Sequence, residues 1–80
     1  MGWENRQKRL VKYAKDDTME RIKPTCSKKG FLFLMRETNK IESSDDAGAM
    51  LKKMIDGNFP KQQIEEFKNL VLSIAEIEQS

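Results

Sequence analysis

Hydrophobic positions recur along this 80-residue chain in two rhythms, and the change of rhythm after residue 17 sets the expected fold. At 100° per residue, Trp3, Leu10, Val11, Tyr13 and Ala14 share one arc, while Lys8, Arg9, Lys12 and Lys15 lie opposite. This spacing predicts an amphipathic helix over residues 3–15. Asp16 and Asp17 interrupt the pattern. The next segment, "TMERIK", reads either as a short strand over 18–23 or as a helical turn capped by Asp17 and Glu20. The strand reading draws support from the run that follows the connector "PTCSKKG". Five apolar residues in succession, Phe31 to Met35, lack helical spacing and have the length of a strand over 30–37. Such a strand places Phe31 and Phe33 on one face and Leu32 and Leu34 on the other, so both faces need cover.

Beyond residue 43 the helical period is regular. Ser43 followed by Asp46 has the form of a capping box, and Ala47, Met50, Leu51, Met54 and Ile55 make a stripe roughly 140° wide. Gly57 stands at the expected C-terminal cap, which predicts a helix over 45–56. After the corner "GNFP", residues 60–78 carry Ile64, Phe67, Leu70, Val71, Ile74, Ala75 and Ile77 on one arc, with Leu72 outside it. The expected fold class is therefore α+β in a single domain, 1–80. Its order is an N-terminal helix, a two-stranded β-hairpin and a C-terminal antiparallel helical hairpin, with all-α as the alternative. A lone hairpin is barely stable in water, so it must lie on the helices or pair with a second copy.

Composition changes this picture in one respect, the size of the core. A chain this short buries only about 60% of the surface its unfolded form exposes, which favours a homodimer or a bound partner. Charge adds a second. Residues 1–30 hold nine Lys and Arg against four Asp and Glu, and residues 31–80 hold six against nine. A basic front half fits an anionic partner, or a second half that attracts it.

Candidate chemistry is sparse. One cysteine and no histidine leave the usual zinc and haem ligand sets unassembled, and no cofactor is expected. Cys26 lies beside Lys28 and Lys29, but with no histidine as base a cysteine nucleophile is unsupported, and an incidental thiol is the expected reading. The adjacent acids Asp16-Asp17, Asp45-Asp46 and Glu65-Glu66 diverge by about 100° on a helix, so they do not converge on a substrate. "SKKG" lacks the glycine pattern of a phosphate loop. The corner between the last helices has the outline of a helix-turn-helix, yet Glu65 and Glu66 would face the duplex. No run reaches the roughly 20 apolar residues of a membrane span, and residues 1–30 contain no apolar core of a secretory signal.

The expectation is a small cytoplasmic regulator, adaptor or inhibitor, not an enzyme, that binds a larger protein, acts as a homodimer, and takes no membrane or small-molecule partner. Its apolar contact residues would be Phe31, Leu32, Phe33, Leu34 and Leu72. The alternative is a nucleic-acid-binding regulator that uses the helix face Lys8, Arg9, Lys12 and Lys15 with the hairpin tip Lys23, Lys28 and Lys29. In that reading Trp3 or Tyr13 stacks on bases.

Overall fold

Four α-helices joined by short connections account for the architecture: α1 Gly2–Ile22, α2 Lys28–Asn39, α3 Ser44–Asp56 and α4 Lys61–Gln79, with a 3-10 turn at Lys23–Thr25. The computed structural model describes the backbone of residues 2–79 and the side chains of residues 6–79. Among the described residues there is no strand, so the α+β expectation is overturned and the fold is all-α.

The first correction concerns residues 18–23. Asp16 and Asp17 do not end α1, because both point into water on its outer side, and Lys12 Nζ pairs with Asp16 Oδ2 at 3.3 Å one turn away. The buried side chains Val11, Thr18, Met19 and Ile22 recur at helical spacing and carry the helix to Ile22. Pro24 then stops it, since the helix cannot continue through a residue without an N–H, and Thr25 Oγ1 donates to the Ile22 carbonyl at 2.6 Å.

The second correction concerns residues 30–37, which are helix. Ser27 is the N-cap of α2, its Oγ accepting the Gly30 N–H at 3.1 Å. Within α2 the inward stripe is half-buried Phe31, buried Leu34 and buried Thr38, continued by Ile41 beyond the helix end. Thr38 takes an inward position because its hydroxyl lies 3.5 Å from Met19 Sδ and 3.8 Å from Met50 Sδ.

The closing helices match their expected spans to within one residue at each end. Ser43 Oγ accepts the Asp46 N–H at 3.2 Å, and the Asp46 carboxylate in turn accepts the Glu42 N–H at 3.0 Å. Glu78 at the end of α4 reaches the start of α3 and Gln7 of α1 donates to the Ile77 carbonyl at 3.0 Å, so α4 runs antiparallel to both helices. Lys15 Nζ donates to the Ile41 carbonyl at 2.8 Å, and with the Met19–Thr38 pair this returns α2 antiparallel along the second half of α1. Each helix thus reverses the one before it, in the manner of an up-down bundle. The core draws on all four helices, centred on Ile22, Leu34, Met54, Phe67, Leu70 and Ile74.

Candidate functional site

A 12-residue helix spans about 18 Å. The inward stripe of α2 packs against α1 and α3, and among the described residues its other side is exposed. That outer side carries Leu32 at 55% exposure, Phe33 at 52% and Met35 at 37%, interleaved with exposed Lys28, Lys29 and Arg36. At 100° per residue Lys29 and Arg36 stand on the crest, with Leu32 on one flank and Phe33 on the other, and with Lys28 and Met35 beyond Leu32. None of the three cations forms an ion pair with a described residue.

The Phe33 flank continues beyond the helix. Its ring lies 6.5 Å from that of Phe59, tilted by 33°, in the corner between α3 and α4. Next to this pair an open groove of about 370 Å³ runs between the start of α2 and the corner, walled by Cys26, Gly30, Leu34, Phe59, Pro60 and Gln63. Gln63 is buried, and its Nε2 donates to Thr25 Oγ1 at 3.2 Å and to Cys26 Sγ at 3.4 Å, which holds the groove floor to the turn after α1.

The apolar residues expected at a partner surface are divided by the helical geometry. Leu32 and Phe33 are on the outer face, Phe31 is half-buried beneath Lys23 Nζ at 5.9 Å from its ring centroid, and Leu34 is 1% exposed in the core. Leu72 is 64% exposed on the outer side of α4, separate from the α2 face. Sequence reasoning missed Met35, Arg36 and the Phe59 corner. The available signal was Ser27 as an N-cap: once residues 28–39 are read as helix, positions 28, 32, 35 and 36 fall on one arc.

The basic residues expected at a nucleic-acid surface separate into two groups. Lys8, Arg9, Lys12 and Tyr13 are exposed on the first half of α1. Lys23, Lys28 and Lys29 lie beyond its other end, about 20 Å along the axis from Lys8. Exposed Asp16, Asp17 and Glu20 fall between them. Lys15 is fastened to the Ile41 carbonyl, and its pKa is lowered chiefly by burial. Trp3 lies outside the described side chains. Among the described residues no group of three His, Cys, Asp or Glu is placed to hold a metal ion, and no helix is long and apolar enough to cross a membrane.

No protein-family model matches the chain, and no match to it is found among the curated proteins or the solved structures. The fold and this site define a small four-helix protein with one helix presenting a mixed apolar and cationic face.

Proposed function

We propose that this protein is a non-enzymatic regulator, adaptor or inhibitor that acts by docking the outer face of α2 onto a larger protein. One observation carries the reading: two large apolar side chains, Leu32 and Phe33, stand about half exposed on either side of Lys29 and Arg36, on a helix whose other face is committed to the core. Exposed apolar residues gathered beside unpaired cations and a groove are the usual composition of an interface centre and its rim. Self-association through this face is opposed by its charge. A two-fold contact would bring Lys28, Lys29 and Arg36 of one copy against their equivalents, so a different protein is the better occupant than a second copy.

A photo-activatable amino acid placed at position 32 tests this in the cells that carry the gene. The expected result is a covalent adduct of higher mass that is lost when Phe33→Ser is added and is absent with the probe at Asn69 on α4. If position 32 yields no adduct, the reading fails.

The nucleic-acid reading keeps one supporting observation, the exposure of Lys8, Arg9, Lys12 and Tyr13 along α1. It requires oligonucleotide binding that weakens steeply between about 50 and 200 mM salt and that disappears in the Lys8→Glu, Lys12→Glu variant.

A further inference from the structure

We infer that the segment received by the α2 face is an acidic amphipathic helix, with an apolar side chain that enters the groove beside Phe33 and Phe59. This rests on the docking role proposed above for the same face, and it specifies the partner's chemistry. The charge argument comes first. Lys29 and Arg36 lie between Leu32 and Phe33, one on each side of the apolar strip along the helix axis, and neither has a carboxylate partner within the described chain. The one acid within α2, Glu37, is already engaged, its Oε2 lying 3.1 Å from Lys40 Nζ. A partner that covers Leu32 and Phe33 must desolvate the two cations beside them, and this costs less when the partner brings carboxylates to meet them.

Shape argues for a helix. Among the described residues there is no strand, so no sheet edge is offered for pairing with an extended peptide. The groove between α2 and the α3–α4 corner is a concavity flanked by an exposed aromatic ring, which suits a side chain projecting from a rigid helix at i, i+3 or i+4 spacing. An anionic lipid surface would satisfy the cations but has no projecting side chain to occupy the groove. In addition, Met35, Leu32 and Phe33 spread over roughly 160° of the helix circumference, too wide for all three to enter one flat surface.

The test uses the full chain and a synthetic helical peptide that carries leucines along one face with glutamates beside them, followed by backbone amide NMR. The expected result is a set of shifts confined to the α2 outer face and the groove, Lys29, Gly30, Leu32, Phe33, Arg36 and Phe59 among them. Affinity should fall roughly tenfold or more in the Lys29→Glu, Arg36→Glu variant and be lost in Phe33→Ser. All three side chains are at the surface, so these variants keep the helical circular dichroism of the parent chain. The inference is overturned if the same peptide with lysine for glutamate binds equally well, if the glutamate peptide moves nothing, or if vesicles of phosphatidylcholine with phosphatidylglycerol shift the same residues in the peptide's absence. An adduct at position 32 together with silence from the glutamate peptide would retire this partner chemistry and leave the docking role standing. Absence of both would retire the docking role as well.

Discussion

Asn58 has a φ of 56°, in the left-handed region, one residue past the Gly57 C-cap of α3. Its N–H donates to the Ile55 carbonyl at 3.1 Å and the Phe59 N–H to the Met54 carbonyl at 3.0 Å, which together form a Schellman ending with Asn58, not Gly57, in the left-handed position. Gly57 serves a different end. A Cβ there would lie 3.1 Å from Phe59 Cε1 and 3.2 Å from the Lys53 carbonyl oxygen, so the glycine makes room for the ring that backs Phe33. Opposite outcomes follow at neighbouring positions. Asn58→Gly relieves the left-handed strain and should stabilise the protein by about 0.5–1 kcal/mol. Gly57→Ala should destabilise it and displace Phe59. Urea denaturation of the two variants checks the signs; equal signs would sink this account of the turn.

Two helix starts are set by specific side chains. Ser27 caps α2, and Ser27→Ala should cost about 1 kcal/mol, read as a lower urea midpoint with an unchanged slope. The start of α3 is held from across the fold: Glu78 accepts the Ser44 N–H at 3.0 Å and the Ser44 hydroxyl at 2.5 Å. These side-chain and backbone hydrogen bonds hold the Glu78 carboxyl below its ordinary value of 4.5. A lowered carboxylate pKa adds stability above the unfolded value and loses it as the pH falls through the folded one. Glu78→Gln should therefore be less stable than the parent at neutral pH, and the gap should close as the pH falls below the ordinary glutamate range and the carboxyl takes up its proton. A gap that persists undiminished in acid would show that the charge is not the cause. At this scale the legible and illegible parts divide along burial. The spans of α3 and α4 could be read because their inward positions are almost all apolar, and a period of 3.6 shows plainly. The continuation of α1 and the nature of α2 were hidden because Thr18 and Thr38 hold inward positions, while Leu32, Phe33 and Met35 hold outward ones. Exchange of polar and apolar residues between the two faces leaves an unbroken apolar run that mimics a strand covered on both sides.

For the whole molecule, the contrast between core and face is the sharpest measurable consequence. Phe67 is fully buried among residues of the core, and Phe67→Ala should cost about 3–5 kcal/mol, much of the total stability of a domain this small. Leu32→Ser should change stability by no more than about 0.5 kcal/mol. Thermal denaturation followed by circular dichroism separates them, and a large loss from Leu32→Ser would mean that the α2 face is structural.

Composition and periodicity established a small core, an uneven charge distribution, the two closing helices and the absence of a histidine-based metal or nucleophile site, since each of these depends on residue type and local spacing. Which apolar residues of α2 are buried depended on contacts across the chain. Met19 of α1 and Met50 of α3 meet the Thr38 hydroxyl and turn that side of α2 inward, although they stand 19 and 12 residues away. With one side committed, Leu32, Phe33 and Arg36 are left facing water, because a short helix has a second side that the remaining three helices do not reach.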